Sequence, residues 1–250
     1  MAAPTDEPPT GPSPGLQAFL AEGESPRPGE PIASRPLYIE LPPRGGPQSR
    51  FVQEGGVLFR SATTYRLTVE DLHPMARRRE TLDHLRLEMV KFAFTFRELP
   101  RNRQYDEIRV RITLVPQVPV MQLRPRLKST ESQTTRSFSS EVAPTLSGLL
   151  QLEIRHSREA SSSRTEQQPV VTALDLGAEG FGWTYQAQPG SALIPRVEET
   201  VAVLELPVGT TALAGTFDAE AIITRRILGI LEPRSTVPRE PPVPFLLTLP

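Results

Sequence analysis

Cysteine is absent from this 250-residue chain, and histidine occurs only three times, at positions 73, 84 and 156. The first absence removes disulfides, thiol catalysis and cysteine-ligated zinc, and with them the usual mark of an oxidising compartment, so a cytoplasmic home is expected. Lysine is almost missing as well. Lys91 and Lys128 are the only two, and arginine carries the remaining positive charge, a bias that a GC-rich genome produces without any demand for guanidinium fork geometry. Long hydrophobic runs are also lacking: nowhere do about 18 uncharged apolar residues follow one another. The opening Met1-Ala2-Ala3-Pro4-Thr5-Asp6-Glu7-Pro8 has neither the positive start nor the apolar stretch of a signal peptide. A membrane partner is therefore not expected. A β-type pore former would need a hairpin alternating apolar and polar residues, and Lys128 to Ser140 shows no such alternation, with Phe138 its sole large apolar residue.

The motifs of chemistry are missing too. There is no G-x-S-x-G, no phosphate-binding P-loop and no G-x-G-x-x-G opening a helix. Glu70, Asp71 and His73 form the only local grouping of histidine with carboxylates, and Asp83-His84 is the only adjacent pair. Neither has metal-ligand spacing, and neighbours on a strand point to opposite faces. No catalytic residue, metal ligand or cofactor is expected, and the chain is read as a non-enzyme. A hydrolase built from scattered carboxylates ranks third among the functional readings, because such a pair can be assembled from any strands of a fold.

Proline, by contrast, is abundant. Twelve of the 28 prolines fall between Pro4 and Pro47, and the overall hydrophobic share of 38% lies below the usual ~45 to 50% of globular domains. Residues 1–35 are therefore expected to be a disordered Pro- and Gly-rich leader that cannot bury enough surface to offset its ordering entropy. Within it, Leu16, Phe19 and Leu20 share one helical face. That face could dock on the body, although a transient helix with no role is the simpler expectation.

Residues 36–250 alternate apolar and polar positions between turn signals spaced as in sandwiches and barrels. The expectation is an all-β domain, an antiparallel β-sandwich or distorted barrel, with two possible sub-halves at 36–128 and 145–250 joined by a polar Ser/Thr-rich loop. Strands are expected at Leu37–Leu41, Val57–Phe59, Tyr65–Val69, Leu150–Ile154, Val170–Leu176, Phe181–Tyr185, Val201–Leu206, Phe217–Thr224 and Phe245–Leu249. Leu85 to Phe96 is the longest candidate. Its apolar phase changes between Met89 and Val90, which predicts a β-bulge. After a turn at Arg97 to Gln104, Ile108, Val110, Ile112 and Leu114 alternate with polar residues, which predicts a hairpin with the preceding strand.

Two surfaces stand out as binding candidates. Phe181, Trp183 and Tyr185 lie on one side of a single strand; exposed, they would stack on a small ligand or sugar, and buried, they would be core. Arg77, Arg78 and Arg79, with Arg101, Arg103, Arg109, Arg111, Arg124 and Arg126, offer a possible basic patch. A sequence pI near 6.4 argues against a nucleic-acid partner. The stretch from His73 to Lys128 carries a net +7 and that from Thr165 to Thr224 a net −7. Such halves could attract between copies, or could be neighbouring strands whose charges pair across one sheet. The function that fits best is a non-enzymatic protein-interaction or assembly module, an adaptor or accessory subunit whose partner is another protein or a second copy. A carbohydrate- or small-ligand-binding β domain using the aromatic face is the alternative.

Overall fold

A computed structural model describes residues 13–21, 30–41, 49–68, 71, 85–125, 127–128, 170–175, 177, 180–188, 191–193, 197–227 and 230–250. The expected all-β class is what these residues form. Helix α1 (Pro14–Ala21) precedes thirteen strands: β1 (Pro31–Leu41), β2 (Arg50–Arg60), β3 (Thr63–Arg66), β4 (Leu85–Phe96), β5 (Arg103–Val115), β6 (Val120–Arg124), β7 (Leu127–Lys128), β8 (Val170–Asp175), β9 (Phe181–Gln186), β10 (Val197–Pro207), β11 (Ala212–Ile227), β12 (Ile230–Val237) and β13 (Val243–Thr248). All pairings are antiparallel, in the order β6-β10-β4-β2-β1-β12-β11-β5-β9-β8-β7, with β13 added on β11 and β3 on β4. The sheet curls until it is nearly closed into a barrel. β4 and β9 stand far apart in that order, yet the Phe92 and Trp183 rings lie 6.3 Å apart between centroids.

The two expected sub-halves interleave rather than separate, since β4 pairs with β10 and β5 with both β9 and β11. The expected hairpin of β4 with β5 does not form. The two strands face one another across the core, as the 6.5 Å approach of Phe96 to Tyr105 shows. Alternation marks an inward face, but it does not say whether the next strand lies beside that face or opposite it.

The bulge expected in β4 is also absent, because β4 and β10 stay in unbroken register from Leu85 to Thr95. β4 is instead apolar on both sides. Val90, Phe92, Phe94 and Phe96 enter the main core, whereas Leu87 and Met89 join a second cluster with Leu16, Phe19, Leu67 and Val203. A register shift does occur in β5, where Ile222 faces Glu107 and Ile223 faces Tyr105, leaving Asp106 as the extra residue. That shift turns Tyr105 inward along with Ile108, three residues on.

Order also reaches further toward the amino end than the composition suggests. β1 starts at Pro31, six residues before Leu37, and α1 packs its Leu16 and Phe19 against the sheet. The leader is thus corrected on those stretches, for which a covered apolar face supplies what the composition lacks. Leu150–Ile154 lies outside the described residues. β12 was masked in the sequence by Pro233, which is tolerated because β1 joins β12 only at Thr236 and Val237, leaving Pro233 paired on the β11 side alone.

Candidate interaction surface

The aromatic strand face is core. On β9, Phe181, Trp183 and Tyr185 are 2%, 0% and 0% exposed. They pack against Phe92, Phe94 and Phe96 of β4, with Phe96 meeting Tyr185 edge-on at 5.1 Å. The reading of these three as an open platform for a sugar or small ligand is therefore corrected: curling of the sheet turns their face inward against the phenylalanines of β4.

The basic residues do not form one patch. Arg77, Arg78, Arg79 and Arg126 lie outside the described residues. Arg101 is exposed in the turn before β5. Arg103 pairs with the fully buried carboxylate of Glu54, which Arg225 also reaches at 2.7 Å. Arg124 sits on β6 opposite Val201. Burial lowers the pKa of both Arg103 and Arg124 below the ordinary guanidinium value, with Arg225 adding to the shift at Arg103.

Of the local histidine–carboxylate grouping only Asp71 is described, and it does structural work. Fully buried, it accepts hydrogen bonds from the Thr68 N–H and hydroxyl, both 2.8 Å, and from Ser13 Oγ. Glu70, His73, Asp83 and His84 lie outside the described residues. Among the described residues no three His, Cys, Asp or Glu side chains cluster as a metal would need, and no helix is long and apolar enough to cross a membrane.

Two residues of the basic stretch stand in register with two of the acidic stretch. Arg111 faces Asp218 and Arg109 faces Glu220 across β5 and β11, and β4 lies beside β10. One buried pair is internal to β4: Arg86 reaches Glu88 at 2.8 Å and also donates to the carbonyls of Thr210 and Pro250. Burial raises the Glu88 carboxyl above its ordinary range, against the pull of Arg86.

A different surface emerges on the outside of β5, β11 and β13. Leu213 and Phe217 of β11 point inward, so Ala212, Ala214 and Thr216 point out. Ala214 lies in register with Val115 on one side and Leu246 on the other. Val115 and Leu246 are 60% and 69% exposed, so the three residues make an apolar row across three strands. The next row, Thr113, Thr216 and Pro244, is uncharged, and charge returns only at Arg111 and Asp218.

β13 borders this row and has β11 as its only partner among the described strands. The Leu249 N–H donates to Thr211 O at 2.9 Å, so by alternation the backbone groups of Pro244, Leu246 and Thr248 aim at the free edge. Pro244 has no N–H to offer there, which blunts the edge as a template for another strand. Arg35, buried on β1, holds the approach to β13 by pairing with Asp218 at 2.7 Å and donating to Glu240 O and Pro241 O. The outward row was missed in the sequence, although Phe245-Leu246-Leu247 carried a signal: consecutive apolar residues on a strand cannot all face inward.

The described residues thus define an antiparallel, nearly closed β-barrel with an apolar row on its outer face. No family of known proteins matches the chain, and neither does any curated protein. Among solved structures it is similar to Clostridium perfringens delta-toxin, at a TM-score of 0.35 and 9% identity over 88% of this chain and 94% of that one. It is also similar to a structure described as a pore forming protein, at a TM-score of 0.30 and 5% identity over 84% and 94%.

Proposed function

We propose that the chain is a non-enzymatic, cytoplasmic protein-interaction or assembly module, and that another protein docks on the outer face of β5, β11 and β13. The observation that carries this reading is the row of Val115, Ala214 and Leu246, apolar and open across three neighbouring strands. Scattered exposed apolar residues need no explanation, whereas a contiguous apolar row bordered by uncharged polar residues supports a docking site. The blunted edge at Pro244 favours contact through side chains on the face over addition of a strand. Burial of Phe181, Trp183 and Tyr185 leaves no observation in favour of a small-ligand or sugar site.

The test is retention of partners from native cell extract by the immobilised full chain and by its Leu246→Glu variant. A specific protein held by the wild-type chain and weakened tenfold or more by Leu246→Glu is the expected result, equivalent to about 1.4 kcal/mol or more of binding. Trp183 emission verifies that the variant is folded. Equal retention by both chains, or no protein retained by either, overturns the reading.

A further inference from the structure

Helix α1 is attached to a site of its own. Leu16 and Phe19 fill a cluster with Leu67, Leu87, Met89 and Val203, bordered by Tyr65, Met121 and Val201. This cluster is separate from the main core, from which β4 divides it. Both ends of the helix are held by charge of the sign that suits them. At the start, buried Asp71 accepts from Ser13 Oγ, and that same oxygen accepts from the Leu16 N–H at 3.2 Å. At the end, buried Lys91 donates to Phe19 O at 2.7 Å, with its ammonium 4.6 Å from the centre of the Phe19 ring. An anion at the amino end and a cation at the carboxyl end complement the dipole of whichever helix lies between them.

The requirements of this groove are therefore few: an apolar pair at the spacing of Leu16 and Phe19, a hydroxyl three residues before the first, and a free carbonyl at the second. At eight residues α1 is below the ~12 to 15 needed for an isolated helix to persist in water, so its helicity and its docking are coupled. Between α1 and β1 the sequence reads Glu22-Gly23-Glu24-Ser25-Pro26-Arg27-Pro28-Gly29, then Glu30, with no large aliphatic or aromatic residue. The main core contains no residue of α1, so release of the helix would uncover the second cluster and not the first. Every copy of the chain carries both the helix and the groove, and exchange of an identical element is a low-cost route to association.

We propose that the groove beneath α1 is a helix-docking site with an exchangeable occupant, in which α1 of a second copy replaces the chain's own and links the two. The groove is built on β4 and β10, whereas Leu246 lies on β13, so the two are tested apart. Two full-length variants separate donor from acceptor: Leu16→Asp with Phe19→Asp spoils the helix and spares the groove, and Val203→Arg blocks the groove and spares the helix. In sedimentation velocity each variant alone stays monomeric, and their mixture forms a heterodimer at least tenfold more readily than either self-associates. A labelled peptide of residues 13–21 provides a measurement that does not depend on Val203→Arg folding. It binds the helix-spoiled chain at least tenfold more tightly than the wild-type chain, whose groove is filled, with Trp183 emission confirming the fold. A mixture of folded variants that remains monomeric overturns the proposal. So does a peptide that ignores the helix-spoiled chain or binds it no better than the wild type.

Discussion

Replacing Gly182 with alanine is expected to abolish the folded state. Gly182 sits on β9 between Phe181 and Trp183, opposite Arg111 of β5. A methyl group there would stand 1.9 Å from the Val110 carbonyl oxygen and 2.9 Å from its carbon, both backbone atoms of the neighbouring strand. No rotamer change relieves a clash with backbone, so β9 must move away from β5 and take three core aromatics with it. The cost exceeds the ~4 to 5 kcal/mol that marks an exceptional substitution, against a total stability of roughly 5 to 15 kcal/mol for a domain. Gly209 is the matched control. It lies in the turn after β10 with a φ of 92° and nothing within 4 Å of an added Cβ. Gly209→Ala pays only left-handed strain, about 1 to 2 kcal/mol. Urea unfolding followed by Trp183 emission distinguishes the two, and a Gly182→Ala chain that unfolds near the wild-type midpoint would refute this packing of β9 on β5.

The second large effect is expected at Glu54. This carboxylate has no solvent exposure and joins two strands that are remote in sequence, pairing with Arg103 at the start of β5 and with Arg225 of β11. Glu54→Gln keeps the volume and removes the charge, leaving two guanidinium groups without their shared counterion. Breaking a buried pair from one side costs about 3 to 5 kcal/mol, a fall in Tm of roughly 6 to 20 °C for a domain of this size. The pair of Glu107 with Arg109 gives the contrast: at 3.2 Å and with the arginine 45% exposed, Glu107→Gln should cost less than about 1 kcal/mol. Equal melting of the two variants would remove Glu54 from the role of a buried bridge.

Much of the fold was legible because inward-facing residues alternate. Ile108, Val110, Ile112 and Leu114 are buried as their spacing predicts, and β8, β9, β10, β11 and β13 fall where apolar runs stand between turn signals. Partnership was not legible. The alternation of β4 and β5 is the same whether the strands pair side by side or face each other, and only the curl of the whole sheet decides it. The phase change at Met89 and Val90 marked a real feature but the wrong one, because a second apolar side and a bulge leave the same trace in a sequence. What separates them is α1, whose Leu16 and Phe19 cover Leu87 and Met89. Part of the charge asymmetry falls on neighbouring strands, with Arg111 beside Asp218 and Arg109 beside Glu220. The apolar row of Val115, Ala214 and Leu246 comes from three strands brought into register by long-range pairing, so no window of sequence contains it.

The curl of the barrel turns the aromatic face of β9 inward against β4. The chain contains a single tryptophan, so acrylamide quenching of Trp183 fluorescence reports on that burial. Blue-shifted emission and weak quenching are expected, both unchanged by added sugars or small aromatic ligands. Strong quenching with emission like that of free tryptophan would place Phe181, Trp183 and Tyr185 on an open surface and overturn this packing of β9 on β4.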